Sequence, residues 1–182
     1  MTQLLLKDGR SPATPDELLA RLDELGIVHR TFSHPPVFTV EEAKELRGSI
    51  EGAHTKNLFV RDKKGRMWLV VALEDRSVNL KALARALGHN NFSFGSPQRL
   101  MEYLGVVPGA VTPFGVFNDH TGAVRVALDE GLRRYDVWNF HPLDNSMTTA
   151  IGPADMLHFL ESIDHPAHWV DVTVSLDGDA PV

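Results

Sequence analysis

The residues whose types and spacing can do chemistry fall in a few short stretches. The first runs from Gly105 to Gly115 and is read together with Asp119. It holds three glycines and two prolines in eleven residues, and the rest are small or apolar. A solvated loop would be polar, and a helix or strand would not carry so many breakers. Such a run either crosses between two sheet strands inside the protein or forms a pocket wall made of backbone. Glycine admits close approach of a ligand, and each proline removes one donor. The second stretch centres on Lys56, with Thr55 and Asn57 beside it and apolar residues after. Turned inward, its ammonium must meet an anion or a carbonyl. Turned outward, the commoner case for lysine, it is an edge charge. The third is His141, between a strand-like segment and a proline turn and close to Asn139 and Asn145. It reads equally as a substrate contact or proton carrier and as a group that orders its own loop.

Several chemistries lack their residues. There is no Gly-Lys-Ser/Thr phosphate loop, no G-x-G-x-x-G after a strand and no G-x-S-x-G elbow. No cysteine is present, so thiolate nucleophiles, thiolate metal sites and disulfides are excluded. His165 and His168 stand three apart, but without a third ligand they read as structural. A hydrolase built from this set would have to activate water through positioned polar groups and backbone dipoles.

These residues need a scaffold, and 182 residues with 43% hydrophobic and 23% charged side chains suit one globular domain over 1–182. No apolar run approaches the ~20 residues that span a membrane. The first residues lack the basic start and apolar core of a secretory signal. A cytoplasmic protein is expected. The net charge is −6, yet residues 56–99 hold nine basic side chains against three acids, a local +6 that leaves −12 elsewhere. That distribution either docks a polyanion at one face or reflects scattered solvated charges.

The elements that must position the three stretches are signalled locally. Thr14 and Pro15 open a helix whose leucines 18, 19, 22 and 25 form one stripe before Gly26. A strand over 27–33 follows, then a short helix opened by a capping box at Thr39. Residues 54–61 and 66–73 read as a hairpin turning at Asp62 to Gly65. Asn79 caps a helix to Gly88, residues 92–94 form a short strand, and Ser96 caps a helix that delivers the chain to Gly105. Strands over 123–128, 136–140 and 147–151, a helix over 152–163 and an edge strand over 169–174 complete the pattern. Residues 175–182 form a flexible tail. The fold class is α/β of the α+β type, with a mixed, mostly antiparallel central sheet surrounded by helices.

Thr55-Lys56-Asn57-Leu58, Gly105 to Gly109, Thr112 to Gly115, and Asn139 to Asn145 with Thr148 and Thr149 occur in that order. Together they resemble the YbaK and prolyl-tRNA synthetase editing-domain family of aminoacyl-tRNA deacylases. The likeness runs from Pro15 to Ile163 and is nearest to the free-standing ProXp-ala (PrdX) subgroup. It implies hydrolysis of the ester of mischarged tRNA, in this subgroup alanine on proline tRNA. Water attacks with help from the substrate's 2′-hydroxyl, and neither a cofactor nor a metal is needed. Cysteine or serine as the edited residue, and a non-catalytic tRNA-binding module, are the alternatives. By the same resemblance Lys56 holds the terminal adenosine phosphate or orients the ester. Gly105 and Pro108, with Gly109, hold the aminoacyl group through backbone. His141 is the pocket histidine, and Asn57 and Asn145 are polar neighbours. Val106, Val107, Val111, Phe114 and Gly115 are expected in the pocket wall, sized to admit alanine and exclude proline. The expected partners are the acceptor end of proline tRNA, prolyl-tRNA synthetase or translation factors, and no membrane, for a monomer or weak dimer.

Overall fold

In the computed structural model, which describes residues 4–36 and 40–175, strand β3 (Met67–Leu73) is the central element. Every one of its residues is buried. Its sequence, MWLVVAL, is a continuous apolar run of the kind found in strands covered on both faces. Alternation divides it cleanly. Met67, Leu69, Val71 and Leu73 enter one hydrophobic cluster, while Trp68, Val70 and Ala72 enter another. It lies in a five-stranded sheet of order β4-β2-β3-β5-β8, formed with β2 (Thr55–Arg61), β4 (Ser93–Phe94), β5 (Val124–Asp129) and β8 (Ala167–Val170). The β2–β3 and β2–β4 pairings are antiparallel, and the β3–β5 and β5–β8 pairings are parallel.

The larger cluster is closed by helices α1 (Pro15–Glu24), α4 (Pro97–Leu104) and α5 (Pro153–Ser162) and by a second sheet. That sheet is antiparallel, of order β1-β7-β6, from β1 (His29–Ser33), β6 (Trp138–Phe140) and β7 (Met147–Ile151). The opposite face of the large sheet is covered by α3 (Leu80–Ala86). Helix α2 (Val40–Ser49) follows β1. The mixed, mostly antiparallel arrangement matches the sequence expectation, but the strands divide between two sheets. The two meet at a parallel bridge between Ala53 and Trp138, where the Ala53 N–H donates to the Val137 carbonyl at 2.8 Å.

Local signals explain the element ends. Thr14 and Glu17 form a full capping box on α1, Asn79 caps α3 through the Ala82 N–H, and Ser96 caps α4 through the Arg99 N–H. The hairpin turn is held by Asp62. Its Oδ1 accepts from the N–H of Lys64 and of Arg66, both at 2.9 Å, and its Oδ2 accepts from Arg66 Nε and His89 Nδ1. Burial opposes ionisation of this carboxyl, but the His89 and Arg66 hydrogen bonds outweigh it and hold it far below the usual range. The edge strand expected over 169–174 instead occupies Ala167–Val170, because its limits come from parallel pairing with β5. Short 3₁₀ helices at Pro113–Asn118 and Glu130–Arg134 had no expected counterpart. The expected Thr39 cap and, apart from Ser175, the expected tail over 175–182 lie outside the described residues. No helix among the described residues is long and apolar enough to cross a membrane.

Candidate active site

The run from Gly105 to Gly115 lies in the crossover from β3 to β5, and it is two things in sequence. Gly105 ends α4 in the left-handed conformation at φ 66°, its N–H donating to the Met101 carbonyl. Val107, Pro108 and Gly109 then form an exposed tip, closed by a hydrogen bond from the Ala110 N–H to the Val107 carbonyl. Beyond it, Thr112 to Val116 are buried, and the Thr112 hydroxyl accepts from the Phe114 N–H. The buried crossover is therefore realised in the second half, while the first half presents exposed backbone. At the tip, the N–H groups of Val107 and Gly109 make no hydrogen bond to the described residues. Exposed backbone donors on a rigid loop can hold a carbonyl oxygen or a developing oxyanion.

Two asparagines border this loop. Asn57 Nδ2 donates to the Val111 carbonyl at 3.0 Å, while its Oδ1 is buried without a partner. On the other side, a Cβ placed on Gly109 would come to 4.0 Å from Asn145 Nδ2. Asn145 belongs to the loop that begins at His141, so the two loops lie side by side. His141 Nδ1–H donates to the Met147 carbonyl at 2.7 Å, which leaves the Nε2 lone pair open in the neutral ring. Burial pushes the pKa of His141 down, the Met147 contact opposes this, and the neighbouring His34 lowers it further. The Asp144 carboxylate caps the turn through the N–H and hydroxyl of Ser146. Leu143, buried between them, holds φ at 70°, a costly value for a branched residue that the surrounding packing must impose.

The structure thus sets Asn57, on β2, against Val111 of the Gly105–Gly115 run, and sets Asn145, in the loop that begins at His141, beside Gly109. It does not bring Lys56 onto the same face. Thr55, Asn57 and Phe59 share the side of the larger cluster, whereas Leu58 and Val60 pack on the α3 side. Strand alternation gives Lys56 to the α3 side, half-buried and without a hydrogen bond or ion pair to the described residues. Val106 and Phe114, expected in the pocket wall, are core residues. Phe114 is fully enclosed, with its ring 5.4 Å from Phe159 and 5.9 Å from Phe140. Gly115 is buried against Leu104, where a Cβ would meet the Leu104 Cβ at 3.0 Å. Asp119 is also structural: it accepts from the Val124 N–H at 2.8 Å and from His165 Nε2 at 2.9 Å. A cleft of about 620 Å³ beside that pair, lined by Arg21, Phe117 and His120 among others, contains none of the expected site residues.

Sequence reading missed two supporting residues, His34 and Asn118, and gave Asn139 only as a neighbour of His141. His34 sits with its ring 6.3 Å from that of His141 and makes a 2.8 Å contact through Nε2 to the Thr148 hydroxyl. Asn118 joins the N-terminal segment to the loop, accepting from the Ala13 N–H at 2.8 Å and donating to the Leu104 carbonyl at 3.0 Å. Asn139 donates to the Glu51 and Ala53 carbonyls and so pins the chain entering β2. Apart from the His34 Nδ1 contact with the adjacent Pro35 carbonyl, these contacts join residues far apart in sequence and carry no local signal. Among the described residues no cluster of three or more His, Cys, Asp or Glu is arranged to hold a metal ion.

The family of aminoacyl-tRNA editing domains matches residues 34–159, a span that takes in both loops, Asn57 and His141. The chain belongs to the aminoacyl-tRNA editing domain family. Among curated proteins, this editing domain is 41% identical over 140 residues to the prolyl-tRNA editing protein ProX of Acetoanaerobium sticklandii, covering 76% of this chain and 85% of that one. It is 37% identical over 171 residues to prolyl-tRNA synthetase associated domain-containing protein 1 of Danio rerio, covering 91% and 93%. A solved structure whose description proposes a trans-editing enzyme for prolyl tRNA synthetase superposes with a TM-score of 0.67. It is 19% identical over 91% of this chain and all of that one, a likeness of fold.

Proposed function

We propose that this editing domain, over residues 1–182, is a trans-acting aminoacyl-tRNA deacylase of the cytoplasm. Its substrate is the ester of a mischarged proline tRNA, most closely alanyl-tRNA. In the reaction a water oxygen bonds to the ester carbonyl carbon and the acyl C–O bond breaks. The terminal ribose oxygen leaves with a proton, and the free amino acid departs. The substrate's own 2′-hydroxyl assists the water. The N–H groups of Val107 and Gly109 receive the carbonyl oxygen, and Lys56 holds the terminal phosphate from the edge of β2. His141, neutral with an open Nε2, accepts a hydrogen bond from the water or the ribose.

The observation that carries this reading is the orphaned Oδ1 of Asn57, whose Nδ2 holds the Val111 carbonyl two residues beyond a loop tip with free backbone donors. A buried acceptor without a partner is costly, and a substrate donor such as the α-ammonium or a ribose hydroxyl satisfies it. The names of the curated relatives support the same substrate class. Selection of alanine over proline follows from steric exclusion, which rejects a larger residue more sharply than a pocket can reject a smaller one.

A panel of alanyl-, cysteinyl-, seryl- and prolyl-tRNA for proline tests the proposal. Rapid release of alanine with the prolyl ester intact is the expected result. Release of serine or cysteine in preference would reassign the substrate. Binding of every tRNA without hydrolysis of any would remove the enzyme reading.

A further inference from the structure

Phe94 has no part in the deacylase reading, and its placement is unusual. It lies on β4, the shortest strand of the large sheet, which pairs with β2 only at Val60–Phe94 and Arg61–Ser93. Cross-strand partners share a face, so Phe94 stands on the side of Val60, Leu58 and Lys56. Phe92, two residues earlier, is on that side and buried in the cluster beneath α3. Phe94 is 51% exposed. One solvated aromatic ring is ordinary in isolation. Here it lies in line with Lys56, about 13 Å further along the strand from the ester-binding end. Lys63 and Lys64 follow in the hairpin turn just beyond the Val60–Phe94 pair, and neither makes an ion pair with the described residues. A protein partner would call for a broad apolar patch. A single exposed ring between free cations suits an unpaired nucleobase instead, with the cations on its phosphates.

We infer that Phe94 is a stacking platform for an unpaired base of the 3′ end of the RNA substrate, with Lys63 and Lys64 receiving phosphates of the adjoining duplex. The inference rests on the deacylase reading for which end of the RNA is bound. It adds a specificity-determining contact that tells a single-stranded 3′ extension from a blunt duplex.

The test compares two RNA hairpins with the same stem, one carrying an unpaired ACCA tail and one blunt, by fluorescence anisotropy with the full chain. Wild type is expected to bind the tailed hairpin more tightly. F94A should weaken the tailed hairpin about tenfold and leave the blunt one within about twofold, while F94Y keeps the preference. Matching thermal melts establish that the variants fold alike. The inference is overturned if wild type does not distinguish the hairpins, if F94A leaves both affinities unchanged, or if it weakens both equally. No ester is present in this assay. A protein that hydrolyses nothing but shows the tail preference dependent on Phe94 therefore keeps this inference and loses the deacylase reading. Hydrolysis without any tail preference does the reverse.

Discussion

His141 is held in one tautomer by geometry. Its Nδ1–H is committed to the Met147 carbonyl, and burial, the largest influence, disfavours the imidazolium. Its folded pKa lies below the ordinary 6.5, so it stays neutral at neutral pH. Nitrogen-15 NMR is expected to show the Nδ1–H form titrating below that value. If Nε2 serves the reaction, the acid limb of the pH–rate profile should fall at the same lowered pKa and not at 6.5. Lys56 is different, since it bonds to none of the described residues. Lys56→Ala should therefore change stability by less than about 0.5 kcal/mol while strongly reducing deacylation. Urea unfolding and single-turnover hydrolysis on the same sample separate the two effects, and full activity would remove Lys56 from the mechanism.

The Gly105–Gly115 segment keeps its shape because of what surrounds its first residue. Gly105 has φ 66°, and a Cβ there would overlap the Asn118 side chain, lying 2.9 Å from its Cγ and 3.0 Å from Pro12 Cβ. Gly65 shares the left-handed backbone at φ 80° but has open space around it. Gly65→Ala should thus cost only the backbone penalty, about 1–2 kcal/mol. Gly105→Ala adds the displacement of Asn118 from the Ala13 N–H and the Leu104 carbonyl. Its cost should reach on the order of 3 kcal/mol. Denaturant unfolding measures both, and hydrogen exchange should show new opening around residues 104–110 in the second variant alone. Equal costs would mean that Asn118 does not brace the loop.

The Asp119–His165 pair ties the start of β5 to the turn after α5 and stabilises the whole fold in a defined pH range. Both ring nitrogens of His165 contact acceptors, Nδ1 the Ile163 carbonyl and Nε2 the Asp119 carboxylate, and the imidazolium is the form that donates to both. Burial lowers its pKa, but those contacts outweigh burial and the net shift is upward from 6.5. Its contribution is complete below 6.5 and is lost as pH rises through the folded value. Burial likewise opposes ionisation of Asp119, yet hydrogen bonds from His165, Val124 and Ala123 bring its pKa below 3.8. That contribution is present above 3.8 and lost as pH falls through the folded value. His165→Asn should therefore cost most between 3.8 and 6.5, on the order of 3–5 kcal/mol, with the difference from wild type shrinking at alkaline pH. Melting curves across that range check it. The charge layout makes a separate prediction for RNA binding. Lys56, Arg61, Lys63, Lys64, Lys81, Arg85 and Arg99 form no ion pairs with described residues. Affinity for tRNA should then fall steeply with salt. Replacing one phosphate-contacting lysine should reduce the log–log slope by about 0.7–0.9.

Helices capped by Thr14, Asn79 and Ser96, and the hairpin turning at Asp62, are legible in the chain because capping and turn formation act between residues a few positions apart. The breaker-rich run and the strand end at His141 are legible for the same reason. Alternation also places the faces of β2 once its limits are known, but which cover each face meets is not local. The register that sets Ser33 beside Met147 brings His34 to His141. The commitment of Val106 and Phe114 to the core, the bracing by Asn118 and the pairing of Asp119 with His165 depend on packing between distant segments. Contacts such as Thr31 with Thr149, 118 residues apart, form only when the whole core closes. No pattern within a single turn or strand can encode them.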